Sequence, residues 1–154
     1  MKSSRDFLGL GLLCACLAMP ITDGHAQGFE LIYEAHSVQA FAQPHDITLS
    51  SDQRYLYIAD NNNDRIAVLD PGSLALLGSF AEDEVSGPHD VVFQSDGRLL
   101  VADTGNSRIA IYQVSGANGQ LVGEYTGDFY RPEGVTVHPN GRIYVTGAGS
   151  NNIV

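Results

Sequence analysis

The segment "PHDVVFQSDGRLLVADTGNSRIAIY", from Pro88 to Tyr112, lies over an earlier one, "PHDITLSSDQRYLYIADNNNDRIAVL", once Tyr55 is set aside as an extra residue of the earlier copy. A third copy, "PEGVTVHPNGRIYVTGAGSNNIV", opens at Pro132, so Pro44, Pro88 and Pro132 stand 44 residues apart each time. Turns, apolar runs and charged positions recur together. A period of this length constrains the fold more than any other feature of the chain. Each copy is one supersecondary unit that cannot bury its apolar face alone, and stacked neighbours must share a core.

Within a copy the apolar residues alternate. In the second, "DVVFQ" reads as a strand, Ser95-Asp96-Gly97-Arg98 as a hairpin turn and "LLVAD" as a second strand. The polar loop "TGNS" leads into a third strand, "RIAIYQV", and "SGANG" turns the chain into a fourth, "QLVGEY". The runs are too short for helices and rich in Val, Ile and Tyr. The fold class is therefore all-β, and four short antiparallel strands per repeat describe a blade of a β-propeller.

The heart of the second copy, "GRLLVADTGNSRIAIY", resembles an NHL repeat, and "DQRYLYIAD" in the first echoes the related YVTN-type repeat. The resemblance covers residues 44–154 and implies an NHL-type propeller. Such propellers usually have six blades and serve mostly as binding platforms. The division that follows is a leader over 1–26, an N-terminal strand segment over 27–43, blades over 44–87 and 88–131, and a partial blade over 132–154.

Asp60 and Arg65, like Asp103 and Arg108, flank a four-residue loop between two strands. An acceptor and a forked donor placed there are expected to bind each other or loop backbone, a structural role that recurs blade after blade. Gly147 and Asn152 replace this pair in the third copy, where a looser loop is expected.

About two and a half blades do not close a ring. Three alternatives stand open: a fragment of a longer propeller, an open arc, or closure by assembly. In the last, Phe29–Phe41 ("FELIYEAHSVQAF") supplies an outer strand to a second copy, giving a homodimer by strand exchange.

Lys2 and Arg5 precede an apolar run, Phe7–Ala18, of signal-peptide length, and Gly24-His25-Ala26 offers a small-x-small cleavage site. Leu13-Cys14-Ala15-Cys16 is a weaker lipobox-like alternative. The chain is expected to be exported to a periplasm or the extracellular space, with no stable membrane span. Both cysteines fall in the leader, so neither a disulfide nor thiol chemistry is expected of the remainder. With 18 acidic against 8 basic residues, the net charge of −10 argues against nucleic-acid partners.

The repeat places two histidines equivalently. His45 and His89 each follow a proline and precede the first strand of a blade; in propellers this strand is the innermost, so its entry lies at the channel rim. Glu133 is the third-copy counterpart. Two imidazoles and a carboxylate are a ligand set suited to zinc or another divalent metal. The competing reading makes Pro-His-Asp a blade-entry turn, in which Asp46 or Asp90 accepts amides. His36 and His138 have no such placement. The "PH" dipeptides are similar to those that carry zinc histidines in the peptidyl-hydroxyglycine amidating lyases, a likeness that reaches His45 and His89 only. The first functional expectation is a binding scaffold with a protein, peptide or small ligand on the channel face. The alternative is a zinc-dependent lyase or hydrolase.

Overall fold

A computed structural model describes residues 41–154. The leader, the Cys14–Cys16 lipobox alternative, His36 and nearly all of the N-terminal strand segment lie outside the described residues. No helix among the described residues is long and apolar enough to cross a membrane.

Three antiparallel sheets follow one another along the chain. The first contains β1 (Pro44–Leu49), β2 (Leu56–Asp60), β3 (Arg65–Leu69) and β4 (Leu76–Phe80), hydrogen-bonded in that order. The second repeats the plan with β5 (Pro88–Phe93), β6 (Leu99–Asp103), β7 (Arg108–Ser115) and β8 (Asn118–Tyr125). In the third, β9 (Pro132–Val137) and β10 (Ile143–Gly147) pair, and β11 (Asn152–Ile153) adds to β10. A short 3-10 turn, Asn61–Asn63, joins β2 to β3.

The sheets stack face to face as blades, and alternation along the strands divides the core between two junctions and a smaller cluster of Ile58, Ala67 and Leu69 in the first blade. Tyr57, Ala59, Ile66, Val68 and Phe80 of the first blade meet Val91, Leu99, Val101, Ala110 and Tyr112 of the second. The opposite face of the second blade offers Leu100, Ala102, Ile109 and Ile111 to Val135 and Val145 of the third. Every residue of β6 is buried, because this strand faces a neighbour on both sides. Tyr57 and Tyr112 carry hydroxyls into the first junction, and each finds an acceptor: the Gly116 carbonyl at 2.8 Å and the Glu84 carboxylate at 3.0 Å.

Hydrogen bonds between blades repeat as faithfully as the sequence. Asp46 accepts the Val91 amide at 3.1 Å, and Asp90 accepts the Val135 amide at 2.6 Å. Asp64 accepts the Gly87 amide and Ser107 accepts the Arg131 amide. Asn61 and Thr104 donate to the carbonyls of Pro88 and Pro132. The first strands of the second and third blades are thus each tied to the loop and first strand of the blade before. The residue preceding each blade-entry proline is left-handed, with φ of 53° at Gln43, 55° at Gly87 and 50° at Arg131. Only glycine takes this conformation without strain, so tertiary contacts hold the other two there.

The loop clasps form as the sequence suggests. Asp60, fully buried, accepts from the Ala42 amide, the Asn63 side-chain amide and Arg65 Nε, each at 2.8 Å. Asp103, equally buried, accepts from the Ser86 amide at 2.8 Å, from Asn106, and from Arg108 Nε at 2.7 Å. Arg108 also donates to the Glu84 carbonyl. The third blade departs from the expected looseness. Ser150 Oγ accepts the Tyr130 amide at 3.0 Å, and the Asn152 amide donates to the Asp128 carbonyl. Tyr130 and Asp128 stand 44 residues after Ser86 and Glu84, so a hydroxyl and an amide occupy the places of the carboxylate and the guanidinium.

Candidate functional site

Pro44 and Pro88 open β1 and β5 without an amide hydrogen to lose, which is where a strand tolerates proline. The next two residues are not in regular register. Pro44 pairs with Asp60 and Ile47 with Ile58, so His45 and Asp46 together oppose Ala59. His89 and Asp90 likewise oppose Ala102. In the third blade Pro132 pairs with Gly147 and Gly134 with Thr146, leaving Glu133 as the extra residue. The recurrent dipeptide is therefore a β-bulge, a device that redirects side chains and increases local twist.

The bulges bring the three sequence-predicted residues to the same rim. The rings of His45 and His89 lie in contact, with centroids 3.7 Å apart and planes tilted by 44°. His89 is half-buried. Desolvation and the neighbouring His45 hold it below the usual imidazole range, while the Glu133 charge and a hydrogen bond to the Glu133 backbone act in the opposite direction. Beneath the rings, burial raises Asp90 to about 6, assisted by a hydrogen bond with the Asp46 carboxyl and opposed by the Val135 amide. In the third blade this row of aspartates ends at Gly134, where a Cβ would lie 2.8 Å from Thr146 Oγ1.

The chemistry available is that of a desolvated imidazole, held below its usual range, beside a second imidazole, a carboxylate and the raised Asp90 carboxyl. As placed, the imidazoles do not suit a shared metal. Zinc–nitrogen bonds of about 2.0–2.1 Å in tetrahedral geometry put two ligating ring centroids roughly 5 Å apart. Among the described residues no group of three or more His, Cys, Asp or Glu side chains is arranged to hold a metal ion. His138 lies away from this rim, in the β9–β10 hairpin, where its Nδ1 accepts the Asn140 amide at 3.1 Å. Asp60, Arg65, Asp103 and Arg108 are engaged in the loop clasps. Sequence reasoning missed the bulges and the Asp46–Asp90 contact.

Residues 25–139 match the family described as lactonase, seven-bladed β-propeller. The chain belongs to the seven-bladed propeller lactonases. That family has seven blades where the NHL likeness implied six. No curated protein matches the chain. Among solved structures it is similar to a candidate 6-phosphogluconolactonase from Bacteroides uniformis, at 22% identity and a TM-score of 0.62, over 78% of this chain and 37% of that one. It is also similar to virginiamycin B lyase from Staphylococcus aureus in a catalytically inactive form with quinupristin, at 20% identity and a TM-score of 0.62, over 79% and 40%. A periplasmic gluconolactonase from Pseudomonas aeruginosa aligns at 19% identity and a TM-score of 0.61, over 71% and 34%. At these identities the likeness is one of fold. The chain spans well under half the length of each of these structures.

Proposed function

We propose that the rim formed by His45, His89 and Glu133 binds a small cyclic ester in a propeller channel, with His89 as the base that opens it. The carrying observation is the contact of the two imidazoles at 3.7 Å, which, with burial, favours a neutral His89. A neutral imidazole accepts a proton from water as the water oxygen bonds to the ester carbonyl carbon. When the ring C–O bond then breaks, that proton passes to the departing alkoxide, leaving a hydroxy acid. The hydrogen bond to the Glu133 backbone orients the His89 ring, which favours one tautomer. The family match and the lactone-directed names among the similar structures support this ligand class. Binding without turnover, the scaffold reading, uses the same rim.

Gluconolactone is a suitable probe. Saturable binding by the full chain, lost in His89→Ala and weakened in His45→Ala, is the expected calorimetric result, with acid release in a pH-stat reporting turnover. Binding indifferent to both substitutions would overturn the assignment. A metal-dependent lyase or hydrolase requires the two rings to separate. Stoichiometric zinc binding that disappears in the double alanine variant would restore that reading.

An exported setting also belongs to the proposal, supported by the leader-like residues 1–26 and by the periplasmic relative. The finer reading of the repeat as NHL-type and closure of the channel by strand exchange with a second copy remain parts of it as well. Light scattering on the purified chain tests the last, since a monomer at all concentrations excludes exchange.

A further inference from the structure

Tyr55 interrupts an otherwise regular repeat, and the channel rim makes no use of it. The residue lies in the hairpin between β1 and β2, at the opposite end of β1 from His45. Its effect is clearest at the arginine before it. Arg54, Arg98 and Arg142 occupy matching positions in the three hairpins. In the second blade Arg98 closes on its own hairpin aspartate, with Nε 2.9 Å and a terminal nitrogen 2.7 Å from Asp96. In the first blade Asp52 keeps the Arg54 backbone amide at 3.2 Å, as Asp96 keeps that of Arg98 at 3.1 Å, but accepts the Ser50 hydroxyl at 2.6 Å where Asp96 binds a guanidinium. The Arg54 guanidinium is left over the Tyr55 ring, 5.5 Å from its centroid, and is in no ion pair among the described residues.

The same loop forms one wall of a cleft of about 490 Å³ between the first two blades. Its other walls are the β5–β6 hairpin, with Phe93 and Gln94, and the β7–β8 hairpin at Gly116. Gly116 takes φ of 60°, and Tyr55 packs against it. The side-chain oxygen of Gln94 is shut off from solvent, and no protein group donates to it. Gln94 lines the cleft, and its terminal amide torsion is broad enough to turn when a ligand binds.

We infer that this cleft is a second ligand site, separate from the channel rim, for a neutral sugar ring. The Gln94 carbonyl lacks a donor, the Asp52 carboxylate can accept more than the bonds it has, and the Arg54 guanidinium is in no ion pair, so a fitting ligand carries groups that both donate and accept. The rings of Tyr55 and Phe93 supply apolar surface for the C–H face of such a ring. Asp52 in the lining and a chain charge of −10 act against an acidic ligand. The volume lies within the range of small-molecule clefts.

The test is a titration of the full chain with glucose, maltose and gluconate, followed by NMR at the Gln94 side-chain amide and the Tyr55 ring. Glucose or maltose is expected to shift both signals saturably, with gluconate no tighter than glucose. Deleting Tyr55, which restores the repeat length, should weaken binding at least tenfold, on the order of 1.4 kcal/mol. Arg54→Gln, at an exposed position, should weaken it several-fold with the circular dichroism spectrum unchanged, and His89→Ala should leave it intact. Absence of saturable shifts with both neutral sugars overturns the site, as does a preference for gluconate or unchanged affinity in Arg54→Gln. Because the His89 variant separates the two ends of the blades, failure here is distinguishable from failure of the rim assignment.

Discussion

Asp90 combines a structural role with an unfavourable charge. It ties the second blade to the third through the Val135 amide, yet burial and the Asp46 carboxyl raise its pKa to about 6 from 3.8. The groups acting on it are Asp46 from β1, the Val135 amide from β9 and the Val91 amide of its own strand. Since the folded pKa lies above the unfolded one, the folded state binds the proton more tightly. The resulting stability is complete below about pH 4 and is lost as pH rises through about 6. A shift of this size corresponds to roughly 3 kcal/mol before the solvent screening of a half-buried group reduces it. Asp90→Asn keeps an acceptor for Val135 and removes the charge, so its melting temperature should exceed that of the parent at neutral pH. It should also flatten the fall in stability between about pH 4 and 7. Parallel pH profiles for the two proteins in thermal melts would refute the assignment. One of the two readings of Pro-His-Asp in the sequence had Asp46 or Asp90 accepting amides, as both do. It did not show that the amides belong to the next blade, because that depends on blade-to-blade rotation. The 3.7 Å contact between His45 and His89 was hidden for the same reason.

At the scale of elements, the loop clasps offer an internal comparison. Asp103→Ala removes the acceptor of the Ser86 amide, Asn106 and Arg108 Nε at once, and leaves the largely buried guanidinium only the exposed Glu124 carboxylate and the Glu84 carbonyl. Losses of about 3 kcal/mol or more accompany such a change. Ser150→Ala removes a hydroxyl acceptor from an exposed loop and should cost about 1 kcal/mol. Urea unfolding of both variants measures the contrast, and equal losses would mean that the clasps do not anchor the blades as described. A third substitution probes close approach. A Cβ at Gly119 would lie 2.3 Å from the Phe80 ring, so Gly119→Ala should destabilise the junction between β4 and β8 by about 1–3 kcal/mol. The strands themselves were legible: "LLVAD" is β6, with the expected bounds, because alternation and flanking turns fix it. The bulges at His45-Asp46 and His89-Asp90 were not, since an extra residue in a strand leaves no mark on the pattern of its own copy. The closure of the third loop was also missed. Its signal is the 44-residue offset that sets Asp128 and Tyr130 after Glu84 and Ser86, and this becomes informative only once the earlier bonds are known.

Considered as a whole, the described chain is a one-dimensional stack whose stability is set by nearest-neighbour junctions. The second blade contributes to two junction cores, whereas Ile47 on the first blade and Ile153 on the third remain 55% and 74% exposed. In such an array, protection follows the number of packed faces rather than the number of strand hydrogen bonds. Amides of β6 and β7 should therefore exchange slowest with solvent deuterium, and those of β1 and β11 fastest. Val101→Ala, at a residue with no exposure in the first junction, should lower protection in the first two blades together. Val145→Ala, in the second junction, should loosen the third blade first, because β9, β10 and β11 pack on one neighbour only among the described residues. Both substitutions remove similar volume, so the spatial pattern of the loss carries the information rather than its size. If Val145→Ala instead lowered protection evenly across β2, β6 and β10, the blades would unfold as one cooperative unit and the nearest-neighbour description would fail.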